Sequence, residues 1–133
     1  MDTNKEMIKN FLILNFIGKE NKIGLKLNKN FHICEFDSKL YNNDQLVISI
    51  LNLLKKHKVN IDNKFSILVN SGPGSFSALR VSLAVAKGIK ISKNVSLYGY
   101  KDADLGRFDP ANIELLIKKK QLQKNLIKPL YLS

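Results

Sequence analysis

The sequence predicts an α/β protein: one lobe on a mixed five-stranded sheet, with its elements in the order β-β-β-α-β-α-β, then a C-terminal helix and a short tail. Two observations lead to this prediction. Three strand-like segments come first, with short connections that are typical of antiparallel hairpins. Strand-like and helix-like segments then alternate, which is typical of parallel strands joined by helical crossovers. With 133 residues, the chain is long enough to bury one core.

The first three strands are predicted from short apolar or alternating runs. Residues 11–17 (FLILNFI) form an apolar run that ends before Gly18, which favours a buried strand. Residues 22–27 (KIGLKL) and 31–36 (FHICEF) alternate between apolar and polar side chains. Residues 28–30 (NKN) between them suit a tight turn, because asparagine tolerates positive φ.

Helical spacing and strand-like runs alternate in the next part of the chain. Asn43 or Asp44 suits the N-cap of a helix that runs to Lys56, with apolar residues on one side. Residues 65–70 (FSILVN) and 95–100 (VSLYGY) predict two buried strands around a helix from about 75 to 90. Residues 101–109 are polar and are predicted to be irregular. Asp109 and Pro110 suit the start of the C-terminal helix, and residues 129–133 (PLYLS) an extended tail.

The strongly basic composition does not by itself indicate nucleic-acid binding. The net charge is +11, yet only Arg80 and Arg107 of the 22 basic residues are arginine. Lysine, asparagine and isoleucine are abundant, which is typical of an AT-rich genome. Because the lysines are scattered, a solvated surface is favoured over a dedicated patch, while a basic RNA-binding module stays open as an alternative.

The remaining composition predicts a cytoplasmic protein without membrane contact. Cys34 is the single cysteine, so no internal disulfide is expected. No apolar run is long enough to span a bilayer, and the first ten residues (MDTNKEMIKN) do not resemble a signal peptide. His32 and His57 have no acid or cysteine partner nearby in sequence, and Asp102 and Asp104 are better explained by a solvated loop than by a metal pair. We therefore expect no catalytic residue, metal or cofactor.

Residues 71–90 (SGPGSFSALRVSLAVAKGIK) are the most informative segment. Gly72, Pro73, Gly74 and Ser75 predict a structural turn that ends with a helix N-cap. Such a turn can also bind phosphate, so an ATP-dependent phosphotransferase is a third alternative. The segment lacks the Lys-Ser/Thr pair of a P-loop, however, which favours the structural interpretation.

The helix that follows is apolar on most of its circumference. One stripe contains Phe76, Leu79, Leu83 and Ala86, and another contains Ala78, Val81, Val85 and Ile89. Small residues at positions 82, 84, 86 and 88 would let another helix approach closely. The pattern is compatible with a core helix and with a partner-binding helix, and it does not decide between them.

The same segment resembles a known family signature. GPGSFSALRVSLAVAKGI at residues 72–89 resembles the GPGSFTGLRIG…AKG signature of the bacterial TsaB family, with Ser77 in place of threonine and Ala78 in place of glycine. Residues 129–132 (PLYL) resemble the family's C-terminal Pro-Val-Tyr-Leu. Asn15 stands where the family's first strand has an acid, and a segment resembling the C-terminal end follows residue 100 almost directly. The resemblance therefore implies a shortened form that lacks most of the family's second lobe.

The resemblance also implies a function. Residues 1–101 would form an actin-like (ribonuclease H-like) lobe, and residues 102–133 a remnant of the second lobe. TsaB proteins are non-catalytic subunits of the machinery that makes threonylcarbamoyladenosine in tRNA. We therefore expect a heterodimer with a TsaD-like catalytic subunit, a TsaE-like ATPase as a further partner, and tRNA contact only through the complex; self-pairing stays open. The expected partner-binding residues are Leu46, Val47, Ile50, Leu54, Phe76, Ala78, Leu79, Ser82, Val85 and Ala86.

Overall fold

The computed structural model describes residues 8–17, 21–36 and 43–124. The elements are β1 (Phe11–Asn15), β2 (Asn21–Leu27), β3 (Asn30–Phe36), α1 (Asn43–Lys56), β4 (Ser66–Asn70), α2 (Phe76–Lys93), β5 (Ser96–Tyr100), α3 (Asp102–Leu105), α4 (Pro110–Lys118) and β6 (Gln123–Lys124). The predicted α/β class and mixed sheet are confirmed, with six strands rather than five among these described residues. The predicted C-terminal tail and the first seven residues lie outside the described residues.

The sheet has the strand order β3-β2-β1-β4-β5-β6. The hairpins β1–β2 and β2–β3 are antiparallel, whereas β1–β4 and β4–β5 are parallel. Helices α1 and α2 precede β4 and β5, so each runs back across the sheet before the next parallel strand. Every residue of β1 and β4 is buried, as expected for central strands that are covered on both faces.

Helices α1 and α2 cover one face of the sheet. Their buried side chains pack on alternate residues of the central strands, including Leu12 and Leu14 of β1 and Ile67 and Val69 of β4. The two helices also pack on each other. This layer contains most of the apolar core.

The opposite face is covered by the segment after β5. Phe11, Ile13, Leu68, Tyr98 and Tyr100 of the sheet pack there against Leu105, Phe108, Ile113 and Leu116. The prediction that residues 101–109 are irregular was therefore incomplete, because they contain α3 and two buried apolar side chains. The predicted start of the last helix is correct: the Asp109 side chain accepts a hydrogen bond from the Asn112 N–H at 2.8 Å, and Pro110 is the first helical residue.

Candidate functional site

The glycine turn before α2 is held tightly against the end of β1. Gly72 has φ 103°, a conformation that favours glycine, and the Gly72–Pro73 peptide is cis. A Cβ on Gly74 would lie 2.8 Å from Cβ of Ile17, so the approach of the two backbones requires glycine. Ser75 donates its N–H to the Ile17 carbonyl at 3.1 Å and accepts a 3.3 Å hydrogen bond from the Ala78 N–H through its side chain. The turn therefore fixes where α2 begins relative to β1.

A buried asparagine connects this turn to the neighbouring strand ends. Asn70, the last residue of β4, donates its side-chain amide to Oδ1 of Asn15 at 2.7 Å and to Oδ1 of Asp102 at 3.1 Å. Its own Oδ1 accepts a hydrogen bond from the Gly72 N–H at 2.8 Å. Asn70 is fully buried, so these bonds replace the water contacts that it loses. They tie β1, β4, α3 and the turn together.

Tyr100, at the end of β5, completes this polar cluster. Its hydroxyl lies 3.2 Å from the carbonyl oxygen of Leu14 and 3.3 Å from Oδ1 of Asn15. Burial raises the pKa of Tyr100 well above the usual value of 10.0, and the charge of Asp102 acts in the same direction. The hydroxyl therefore stays protonated and can donate. Asn70 and Tyr100 were missed from the sequence, although each ends an apolar strand run directly before a break.

The strand ends gathered here form the edge where open α/β sheets commonly bind ligands. The polar side chains at this edge are bonded to one another and to the turn. Among residues 8–17, 21–36 and 43–124, no three His, Cys, Asp or Glu side chains converge to hold a metal ion. His32 and His57 stack on each other with ring centroids 3.8 Å apart. No helix in the described part of the chain is long and apolar enough to cross a membrane.

An apolar groove lies between α1 and α2. The groove has a volume of about 310 Å³, and its lining residues are Val47, Ile50, Leu51, Ala84, Val85, Gly88, Ile89 and Ser92. Large apolar side chains are exposed on the same two helices: Leu51, which lines the groove, is 57% exposed, Ile48 55% and Ile91 86%. We call this surface, formed by the lining residues together with Ile48 and Ile91, the α1–α2 groove.

Most of the expected partner-binding residues are buried, although Ile50 and Val85 among them line the groove. Leu46, Ile50, Leu54, Ala78, Leu79, Ser82, Val85 and Ala86 are all buried. Val47 is at the surface, and the Phe76 side chain lies outside the described side chains. A bulky residue at Ala78 or Ser82, both fully buried, would disturb the chain's own core before it blocked a partner. The structure thus turns a different side of the same two helices outward.

Small residues mark the outward side of α2. Ala84 is exposed, and a Cβ placed on Gly88 would meet no atom within 4 Å. Glycine inside a helix is less stable than alanine by about 1 kcal/mol, and no contact within the described chain requires it at position 88. Close approach of a second protein is one reason for a helix to keep such residues at its surface.

The comparisons with known proteins agree with the motif. A family model described as "TsaD: tRNA N6-adenosine threonylcarbamoyltransferase" matches residues 41–104. The curated "tRNA threonylcarbamoyladenosine biosynthesis protein TsaB" of Buchnera aphidicola subsp. Baizongia pistaciae (strain Bp) is 36% identical over 74 residues, which are 53% of this chain and 32% of that protein. The chain thus spans about a third of the length of this relative.

Two solved structures share the fold. YeaZ from Pseudomonas aeruginosa aligns with a TM-score of 0.66 at 16% identity, over 74% of this chain and 46% of that one. A second structure, titled as an uncharacterized protein with similarity to peptidase YEAZ from Pseudomonas aeruginosa, gives 0.65 at 17% identity, over 74% and 45%. The sequence motif and the curated relative both show similarity to TsaB proteins, and the solved structures show that the fold is shared.

Proposed function

We propose that this chain belongs to the TsaB family and is a non-catalytic subunit in the biosynthesis of threonylcarbamoyladenosine in tRNA. Its role is to bind a TsaD-like catalytic subunit through the α1–α2 groove, and tRNA is met through that complex. The names of the curated relative and of the matching family model support the pathway. The partner contact is supported by one observation above all, the exposed apolar surface of the two helices.

The exposed side chains make this surface suited to binding. Single exposed apolar residues are common, but a contiguous set around a groove is typical of an interaction site. Leu51 and Ile48 are each more than half exposed, and full burial of such a side chain contributes about 1.5–3 kcal/mol. Covering the remaining exposed area of several such residues therefore favours association.

The catalytic chemistry is assigned to the partner because of how the polar residues are used here. Asn15, Asn70 and Tyr100 occupy the edge of the sheet where related folds place ligands, and they hydrogen bond to one another. Asp102 accepts from Asn70 in the same cluster. In our proposal these residues support the turn before α2, and they have no part in catalysis.

The proposal is tested by co-expression with the TsaD-like subunit of the same organism. Ala84→Trp and Gly88→Trp place a large ring on the outward side of α2, so we expect co-elution to be lost. Ala111→Trp is the matched control, because Ala111 is exposed on α4, over the opposite face of the sheet. Circular dichroism establishes that all three variants are folded. Retained co-elution of both folded groove variants would contradict the proposal.

Measuring tRNA binding by the purified chain alone tests the RNA-binding alternative. The groove proposal predicts that tRNA binding by the chain alone is weak and disappears near physiological salt, because scattered lysines give only non-specific attraction. Tight binding of tRNA that persists at about 0.15 M salt would favour the alternative.

A further inference from the structure

The charged residues that follow Asp44 on α1 and α2 are all basic. From Gln45 to Lys93 the sequence contains eight basic residues and a single acidic one, Asp62. Asp62 lies in the loop before β4, where its carboxylate accepts a hydrogen bond from the Lys64 N–H at 2.9 Å. The remaining acid of α1, Asp44, belongs to the first turn of that helix. In the middle and at the end of both helices, every charged residue is therefore basic.

Two lysines, Lys55 and Lys87, are candidates for contact with a protein bound in the groove. Lys55 is exposed one helical turn after Leu51 on α1. Lys87 is exposed on α2, three residues after Ala84 and four before Ile91, so helical spacing puts it on the outward side. Helical spacing therefore places each lysine next to a residue that lines the groove, Leu51 on α1 and Ala84 on α2.

This charge pattern distinguishes between possible occupants. A second copy of the chain would bring the same lysines towards one another and would offer hardly any acid in return, which is unfavourable. We infer that the occupant is a helix of a different protein whose apolar stripe is flanked by aspartate or glutamate residues that pair with Lys55 and Lys87. This inference rests on the proposed function and adds the chemistry by which the partner is selected.

A helix fits the shape of the surface. Packed helices approach to about 8–10 Å between axes, and small residues at the contact allow the closer distances. Ala84 and Gly88 provide that space on α2, in the groove that Val47, Ile50 and Leu51 of α1 also line. An amphipathic helix lying in the groove would present its apolar residues inward and its flanking acids to the two lysines.

The test measures the affinity for the purified TsaD-like subunit of the same organism at several salt concentrations. The double variant Lys55→Glu/Lys87→Glu should bind about tenfold more weakly than the parent chain at about 50 mM NaCl, since two attractive pairs become repulsive. The difference in affinity between this variant and the parent chain should become smaller at about 0.5 M NaCl, where such charges are screened. Lys118→Glu/Lys119→Glu, with the same charge change on the exposed end of α4, should bind like the parent chain.

The outcomes separate this inference from the proposed function. If the groove charge reversal binds like the parent at all salt concentrations while Ala84→Trp still abolishes binding, the charge selection is wrong and the docking proposal stands. If the folded Ala84→Trp and Gly88→Trp variants both bind normally, the docking proposal itself fails. A stable dimer of the chain alone that Ala84→Trp dissociates would equally overturn the inference, because the occupant would then be a second copy.

Discussion

Replacing Gly88 with alanine should stabilise the chain. Gly88 lies in the interior of α2, where glycine is less favourable than alanine by about 0.8–1.0 kcal/mol. The added Cβ would have no atom within 4 Å, so no packing strain offsets the gain in helix propensity. For a domain of this size, about 1 kcal/mol corresponds to a rise in Tm of roughly 3–5 °C. Thermal unfolding, monitored by circular dichroism, measures this rise in Tm.

The same substitution at Gly24 should have the opposite effect. There the added Cβ would lie 2.8 Å from Cγ2 of Ile13 and 2.9 Å from the Phe31 ring, inside the packed sheet. Overpacking of this kind destabilises by about 1–3 kcal/mol, so Gly24→Ala should lower the Tm. The two variants compare the same glycine-to-alanine substitution at a position with free space around it and at a packed position.

Gly88→Ala also has a predicted effect on binding. Its methyl group projects into the space that a partner helix would use, so the more stable variant should bind the TsaD-like subunit more weakly. A Tm of Gly88→Ala at or below that of the parent would refute the reasoning, because it would mean that position 88 is already covered in the chain by itself. Equal Tm shifts in Gly88→Ala and Gly24→Ala would also refute the reasoning.

Two further predictions concern the rest of the fold. Tyr100→Phe removes a buried hydroxyl that bonds to the end of β1, so urea unfolding should show a loss of about 1–2 kcal/mol, and an unchanged midpoint would contradict this role. The pKa of His57 lies below the usual value of 6.5, because partial desolvation and the neighbouring charges of His32 and Lys56 disfavour the imidazolium. The unfolded chain therefore binds this proton more readily, so the contribution to stability is complete above pH 6.5 and is lost as the pH falls towards the lower folded-state pKa. His57→Gln should flatten the fall in Tm across that window, and an equally steep fall in the variant would argue against His57 as its source.

Local signals in the sequence predict much of the fold. The buried strands are continuous apolar runs between turn residues, and the start of α4 is encoded by an aspartate followed by proline. β6 and α3 were missed because elements of two and four residues are too short to show a period. Phe108 was missed for a different reason: only its packing against the second face of the sheet requires an apolar side chain there.

The side of α2 that faces outward could not be predicted from its sequence. A helix with apolar residues on most of its circumference offers two sides that could pack on the sheet, and spacing alone ranks them equally. Ser82 and Ala84 differ by about 200° around the helix, and the structure buries the first and exposes the second. The position of α1 decides between them, because packing on α1 leaves Ala84 and Gly88 beside the groove. Tertiary contact therefore determines the candidate site.

The polar cluster and the groove are connected through the glycine turn. Asn70 bonds to the ends of β1 and α3 and to the N–H of Gly72, so the strand ends determine where the turn leaves the sheet. The glycine turn also holds Ser75, the N-cap of α2, against Ile17. Since α2 forms one wall of the groove, the turn fixes where that wall begins relative to the sheet. In the function that we propose, the edge of the sheet where related folds bind ligands serves here to orient a docking helix.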